Sequence, residues 1–252
     1  MRNRMKEKLL AGEPAFGVSV MIPSPQIVEI IGAAGFDWVL LDCEHGTLTL
    51  ESVELMAMAA EACGITPIAR PATRSPEHIL QVLDRGVMGV QVPHVNTAAQ
   101  AREVVAAVKF HPAGQRGLAA GTRAARYDAH GTLAEYVKAA NDATLIAIQL
   151  EEQAAIDNLD QLLQVPGVDV FFIGPSDLSQ SLGHPGNPQA PPVAQAIEDS
   201  LHKMRAAGRT PGMPATAEKV RDALNHGVRY IYTHLPRLVA ASAKAYLQNA
   251  RG

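Results

Sequence analysis

Polar side chains collect where short apolar segments of this chain end. Asp42, Glu44 and His45 follow one such segment, Glu151 ends another, and Asp177 lies just beyond a third. If these segments are parallel strands, their carboxyl ends meet at one edge, and Glu151 and Asp177 come from neighbouring strands. Two carboxylates without a nearby lysine repel each other unless a cation or a proton lies between them. The pattern therefore favours a hard divalent cation, Mg²⁺ or Mn²⁺, and the alternative is a pair of solvated loop acids.

Gln149 belongs with this group because of its spacing. It lies two residues before Glu151 on the same segment, so both side chains point to the same face of a strand. Arg70 ends a further apolar segment. An amide, a guanidinium and two carboxylates at one edge form a site suited to a small oxygen-rich ligand.

The elements that must position these residues alternate regularly along the chain. Eight short apolar runs are predicted strands, at Ala15–Val20, Phe36–Asp42, Thr66–Arg70, Gly89–Pro93, Leu145–Glu151, Asp169–Gly174, Pro211–Ala215 and Val228–Thr233. Runs such as WVLL and VFFIG lack polar alternation, which indicates strands buried on both faces, as in parallel sheets. Segments with apolar residues three and four apart indicate helices between them, at Pro25–Ala34, Leu50–Ala62, Pro76–Arg85, Thr97–Phe110, Gln153–Leu163, Val193–Ala207, Ala217–Asn225 and Leu238–Asn249.

Eight such units predict an α/β fold, a closed (β/α)8 TIM barrel in a single domain over residues 1–252. An open flavodoxin-like or Rossmann-like sheet is the alternative. Two stretches, His111–Asp128 and Pro175–Pro192, are predicted to be irregular and long for connections, which is typical of functional loops.

Composition narrows the class of partner. The net charge is −3 and no lysine or arginine stripe is present, which argues against nucleic acid, so we expect a small-molecule partner. No apolar run is long enough to span a bilayer, and the first fourteen residues lack the apolar core of a signal peptide. With only two cysteines, Cys43 and Cys63, we expect a cytoplasmic protein.

Several motifs of the chain resemble the HpcH/HpaI family of class II aldolases, of the 4-hydroxy-2-oxoheptanedioate aldolase type. The resemblance covers residues from about Phe16 to Tyr232. The motifs that carry it are LDCEHG at 41–46, ARP at 69–71, VPHVNTAAQA at 92–101, HPAGQRG at 111–117, QLE at 149–151 and FIGPSDLSQSLG at 172–183.

The resemblance implies an activity and a set of roles. These aldolases cleave 4-hydroxy-2-oxo acids to pyruvate and an aldehyde, and use a divalent metal. By the resemblance, Glu151 and Asp177 hold the metal, Arg70 and Gln149 hold the oxo acid, and His45 is the acid/base. Asp42 and Asp84 are expected to assist His45. The resemblance also implies a homohexamer, built as a trimer of dimers, with the C-terminal helix exchanged between subunits.

The residue inventory agrees with a metal-dependent route. An aldolase stabilises an enolate through a lysine Schiff base or a Lewis-acid metal. The seven lysines, at 6, 8, 109, 138, 203, 219 and 244, all lie in terminal or helix-like segments, which disfavours a Schiff base. We therefore expect Mg²⁺ or Mn²⁺, with Co²⁺ as a further candidate, and pyruvate or a hydroxylated pyruvate analogue as the donor.

Further residues receive narrower expectations. The backbone N–H groups of Ser176 and Asp177, in the turn with Gly174 and Pro175, are predicted to bind the donor carboxylate. His45 is the favoured base because an unperturbed imidazole titrates near neutrality. Loop hydrogen bonding is the expected role of two other histidines, His94 and His234. Three arginines of the long loop are predicted either to receive an acidic acceptor or to pair with a neighbouring subunit: Arg116, Arg123 and Arg126.

Three alternatives to an aldolase stay open at this point. A CoA-thioester lyase or a phosphoenolpyruvate-type mutase can use the same barrel, although neither a GxGxxG nor a Walker sequence is present. A non-catalytic oxo-acid-binding barrel is the third. His45 together with Glu151 and Asp177 argues against it, because such a protein needs no base.

Overall fold

Eight parallel strands close into a barrel in a computed structural model that describes residues 2–129 and 131–251. Each strand pairs with the next along the chain, and the last pairs with the first. The strands are β1 (Ala15–Val20), β2 (Trp38–Asp42), β3 (Thr66–Arg70), β4 (Gly89–Val92), β5 (Leu145–Leu150), β6 (Val170–Ile173), β7 (Thr210–Pro214) and β8 (Tyr230–His234). The predicted single-domain (β/α)8 barrel is confirmed.

Helices surround this barrel and connect its strands. They are α1 (Arg4–Leu10), α2 (Pro25–Ala33), α3 (Leu50–Cys63), α4 (Pro76–Asp84), α5 (Ala98–Val108), α6 (Leu133–Ala143), α7 (Gln153–Asp157), α8 (Leu159–Leu162), α9 (Pro175–Ser181), α10 (Pro191–Ala206), α11 (Val220–Asn225) and α12 (Leu235–Arg251). None of the helices in the described parts of the chain is long and apolar enough to cross a bilayer.

The barrel interior is filled by alternate residues of the strands. Trp38 and Leu40 of β2, Phe172 of β6 and Tyr230 of β8 belong to one buried cluster. A Cβ atom at Gly17 would lie 2.4 Å from the Trp38 indole, so glycine on β1 makes room for the largest side chain of the core. Buried residues of α1 join the same cluster, so this helix closes the amino-terminal end of the barrel.

The polar candidates lie on the same alternating positions, nearer the carboxyl ends. Asp42 is two residues beyond Leu40, and Gln149 is two beyond Ala147, which belongs to the interior cluster. Because side chains of a strand alternate between two faces, these positions point into the mouth of the barrel. The opposite face of each strand packs against the helices through a second, larger apolar core.

Four features of the connections differ from the predictions. Helices α1 and α6 were not predicted. Helix α6 begins shortly after the stretch that we predicted to be irregular, His111–Asp128. A capping box between Thr132 and Glu135 begins α6, and its Thr-x-x-Glu spacing is a readable helix start. Helix α9 lies within Pro175–Pro192. The predicted helix over Gln153–Leu163 is two short helices that meet at Asn158.

Candidate active site

Asp42 and Arg70 form a buried ion pair at the mouth. Arg70 Nε donates to Asp42 Oδ1 over 2.9 Å, and Arg70 Nη2 bonds to Asp42 Oδ2. Burial acts to raise the pKa of Asp42, but the Arg70 guanidinium outweighs it, so the net pKa lies below its usual value. Burial likewise opposes the charge of Arg70, and the Asp42 carboxylate keeps the pKa of Arg70 above its usual value. Both groups are therefore charged and fixed.

Glu44 and His45 continue from this pair along the loop after β2. Their backbone N–H groups donate to Asp42 Oδ1 over 3.1 and 3.2 Å, so the carboxylate that holds Arg70 also shapes the loop. Glu44 Oε2 lies 3.2 Å from Arg70 Nε and 3.7 Å from His45 Nε2. The His45 side chain is 54% exposed. The predicted base thus lies next to Glu44, which contacts Arg70, and its side chain is open to a ligand.

An amide and carboxylate chain forms the other side of the mouth. Gln91 Nε2 donates to Gln149 Oε1 over 2.5 Å, and Gln149 Nε2 donates to Glu151 Oε2. Burial raises the pKa of Glu151, hydrogen bonds from Gln149 and His94 oppose the rise, and the charge of Asp177 adds to it. Glu151 is 1% exposed, so its carboxylate is held in a place where its charge is poorly solvated.

The turn after β6 places Gly174 against Glu151, and the charge of Asp177 in the same turn acts on that carboxylate. A Cβ atom at Gly174 would lie 3.0 Å from Glu151 Oε2, so glycine here leaves the room that this buried carboxylate occupies. Pro175 begins α9, no side chain caps this helix among the described residues, and Ser176 and Asp177 are exposed in its first turn. The N–H groups of these two residues therefore have no intrahelical acceptor, at the end of the barrel where β6 ends.

Two carboxylates of this group fit a divalent metal. Among the described residues, no set of three or more His, Cys, Asp or Glu side chains forms a ready metal cage. Mg²⁺ and Mn²⁺ do not need one, because one or two carboxylates plus water and substrate oxygens complete their octahedron. The buried, charge-strained Glu151 beside Asp177 is the feature that a cation would relieve.

Two histidines that we predicted to have loop roles lie at the mouth. His94 contacts Glu44, Glu151 and Glu152, and these carboxylates raise its pKa although burial opposes them. His234 is half-buried at the end of β8. Burial lowers its pKa, and Arg237 and Arg70 lower it further.

Sequence reasoning missed Gln91 and undervalued Glu44. Gln91 has the interior parity of β4, two residues after Gly89, and this spacing was a usable signal. No spacing rule places Glu44 next to Arg70, because the contact depends on how the loop after β2 turns back.

Asp84 and the three loop arginines do not reach this mouth within one chain. Asp84 ends α4 near the start of β4, at the amino-terminal end of the barrel, and accepts a 2.9 Å hydrogen bond from Arg116. Arg123 pairs with Glu61. A cavity of about 790 Å³ lies at that end, and Arg123 and Arg126 contribute to its lining. At this end of the barrel, the three arginines can pair with a neighbouring subunit or stabilise the fold of their own chain.

The chain matches a known protein family over most of its length. Residues 16–229 match the family model described as HpcH/HpaI aldolase/citrate lyase. Two relatives come from Klebsiella pneumoniae subsp. pneumoniae. A 2-keto-3-deoxy-L-rhamnonate aldolase is 41% identical, with 87% of this chain and 83% of the relative covered. A 4-hydroxy-2-oxo-heptane-1,7-dioate aldolase is 40% identical, with 87% of this chain and 82% of the relative covered.

A solved structure shows the same architecture throughout. The HpcH/HpaI aldolase/citrate lyase family protein from Burkholderia cenocepacia J2315 superposes with a TM-score of 0.93 at 28% sequence identity. The match covers 99% of this chain and 100% of that one.

Proposed function

The chain belongs to the HpcH/HpaI aldolase/citrate lyase family, and from this premise we propose that it is a divalent-metal-dependent aldolase. It reversibly cleaves 4-hydroxy-2-oxo acids to an aldehyde and either pyruvate or a hydroxylated pyruvate analogue. The enzyme is a carbon–carbon lyase. Relatives with 40% and 41% identity that are named as aldolases of this chemistry support the reaction class.

One observation carries the assignment of the site. Glu151, almost fully buried and destabilised as a charge, lies beside Asp177 at the same barrel mouth as the fixed Arg70 guanidinium. The carboxylate and ketone oxygens of a 2-oxo acid carry negative charge or partial charge. A metal cation and a guanidinium both stabilise such oxygens. The pairing of the two at one mouth supports the binding of such an acid.

The proposed ligand set assigns each residue a task. Glu151 and Asp177 would hold Mg²⁺ or Mn²⁺, with Co²⁺ as a further candidate, and the bound metal supplies a Lewis acid that favours the enolate. Arg70, oriented by Asp42, places a second positive charge at the ketone oxygen. Gln149 orients the oxo acid.

Backbone N–H groups after β6 would bind the carboxylate of the donor substrate. The N–H groups of Ser176 and Asp177 receive the donor carboxylate, in a turn that Gly174 and Pro175 shape. Backbone amides in such a turn bind anions without an additional cation.

His45 moves the proton in this scheme. In cleavage, the C4 hydroxyl gives its proton to His45 as the C3–C4 bond breaks, and the electron pair of that bond remains on the donor fragment as an enolate. The aldehyde leaves, the enolate takes a proton from water at C3 to give pyruvate, and His45 releases its proton to the resulting hydroxide. Exposure at the mouth and proximity to Arg70 through Glu44 support this role.

The remaining features of the proposal concern assembly and location. The enzyme forms a trimer of dimers in which α12 packs on a neighbouring subunit. No residue of this helix is buried, and Val239 and Tyr246 are exposed on it, which supports a covering subunit. In such an assembly, Asp84 assists a neighbour's His45, since it cannot reach its own. A cytoplasmic location rests on the low cysteine content.

The test is pyruvate release from 4-hydroxy-2-oxo acids of different lengths, measured with lactate dehydrogenase. Activity should disappear after EDTA treatment and return with Mg²⁺, Mn²⁺ or Co²⁺. Activity that resists EDTA would contradict the metal-dependent mechanism and direct attention to the lysines. Absence of turnover with every oxo acid would favour the CoA-thioester lyase, the mutase or the binding protein.

A further inference from the structure

His94 is the residue through which the loop after β4 touches the carboxylate of Glu151. Its backbone N–H donates to Glu151 Oε1 over 2.9 Å. Together with Gln149, which bonds the other carboxylate oxygen, this amide fixes the rotation of the carboxylate from both sides. The orientation of Glu151 therefore depends on where the amide of residue 94 points.

Directly after that amide the backbone of His94 is left-handed, with φ of 55°, and the next residue, Val95, donates its N–H to the Gln149 carbonyl oxygen over 3.3 Å. Non-glycine residues rarely adopt this region, although His, Asn and Asp enter it more readily than most, and β-branched residues almost never do. The φ angle of His94 relates these two anchors, so in a right-handed or extended conformation the loop could not keep the Val95 bond to β5 and the His94 bond to Glu151 together.

The side chain of His94 holds this backbone in place. Nδ1 lies 3.0 Å from Glu152 Oε1 and Nε2 lies 3.2 Å from Glu44 Oε1, so the imidazole spans from the end of β5 to the loop after β2. Arg74 Nη1 donates to the His94 carbonyl oxygen over 3.3 Å. Strained backbone persists where several contacts determine it, and such strain concentrates at functional sites.

We propose that His94 is a positioning residue whose left-handed backbone orients Glu151 for its metal. This inference rests on the proposed role of Glu151 as a metal ligand. It concerns the polypeptide conformation rather than the imidazole, because the hydrogen bond to Glu151 comes from the main chain. Groups that orient a metal ligand typically contribute 10–100-fold to metal affinity.

The proposal is tested by comparing three variants that all lack the imidazole. His94→Gly and His94→Asn tolerate a left-handed backbone, whereas His94→Val does not. Any effect of losing the imidazole is common to the three, so the difference between Val and the other two reports the backbone alone. Binding of Mn²⁺ without substrate is followed by the electron paramagnetic resonance signal of the free ion, and thermal unfolding is measured in parallel.

We expect His94→Val to bind Mn²⁺ at least about tenfold more weakly than His94→Gly and His94→Asn. Its kcat for pyruvate release should fall with the occupancy of the metal, and excess Mn²⁺ should recover part of it. Equal Mn²⁺ affinity in the three variants, with or without a lower Tm for His94→Val, would overturn the proposal while leaving the aldolase assignment intact. A wild-type protein that binds no Mn²⁺ would overturn both.

Discussion

The Asp42 carboxylate and the Arg70 guanidinium face each other from paired positions on neighbouring strands. The register of β2 and β3 places the two residues directly opposite each other, and both are buried. The same carboxylate accepts the N–H groups of Glu44 and His45. One buried anion therefore fixes the cation and the loop that carries the proposed base, so its removal should affect stability and catalysis together.

Asp42→Ala should destabilise the fold by about 3–5 kcal/mol, because it leaves the Arg70 guanidinium buried without its partner. Urea unfolding at neutral pH measures the change. Asp222→Ala is a suitable control, since its carboxylate is 71% exposed and its ion pair, with His226, lies at the surface. The role of the pair would be contradicted if both variants lost equally little stability.

The stabilisation from Asp42 should also depend on pH. Because the pKa of Asp42 is lower in the folded chain than its usual 3.8, folding favours the ionised form. The contribution is complete above that usual value and is lost as the pH falls through the folded pKa. The difference in unfolding free energy between the wild type and Asp42→Ala should therefore shrink between pH 6 and strong acid. A difference that grew in acid would contradict this pKa direction.

Glu151→Gln should remove most activity and weaken Mn²⁺ binding, since it replaces a charged ligand by a neutral amide of the same size. Calorimetric titration with Mn²⁺ measures the affinity. Glu198→Gln is a matched control on α10, where the residue is exposed on the outside of the barrel. It should retain Mn²⁺ binding. Wild-type affinity in Glu151→Gln would exclude Glu151 as a ligand.

His45→Ala should keep its metal affinity and lose at least about 100-fold in kcat, the usual contribution of a general base. Steady-state pyruvate release gives the rate, and Mn²⁺ titration of the same preparation gives the affinity. His226→Ala removes a half-exposed histidine at the end of α11 and should change neither. Near-normal turnover of His45→Ala would remove His45 from the mechanism.

The two cysteines should differ in reactivity. Burial, with the charge of Asp42, raises the pKa of the Cys43 thiol to about 12, whereas Cys63 is exposed at the end of α3. Because the thiolate is the nucleophile, iodoacetamide at pH 8 should label Cys63 first. Peptide mass spectrometry at low reagent excess identifies the site. Preferential labelling of Cys43 would mean that the loop after β2 is more open than described.

The barrel and much of its mouth follow from strand periodicity alone. Continuous apolar runs locate the strands. Asp42, Arg70 and Gln149 each lie two residues beyond a residue of the interior cluster, so alternation of side chains places them on the interior face. Alternation carries no information about loops. The conformation that brings His94 onto Glu151 depends on contacts between segments 57 residues apart, and no local pattern encodes it.

Asp84 shows a different limit of sequence reasoning. The resemblance assigns it to His45, and the barrel topology places it at the amino-terminal end, where Arg116 binds it. A helix that follows a strand runs back along the barrel, so its last residue lies far from the mouth. The two assignments agree only if a second subunit brings its Asp84 to the first subunit's His45.

Mixed oligomers test that arrangement. His45→Ala and Asp84→Asn, each inactive alone, should regain activity when they are co-expressed with different tags and purified through both. If each site combines His45 of one chain with Asp84 of another, roughly a quarter of the sites in a random mixture contain both native residues. Asp84→Asn keeps a polar group for Arg116, so its fold should persist, and thermal unfolding checks this. Mixing after purification should give no recovery unless subunits exchange. Complete inactivity of the co-expressed mixture would show that Asp84 acts only within its own chain, through Arg116 and the structure of the barrel base.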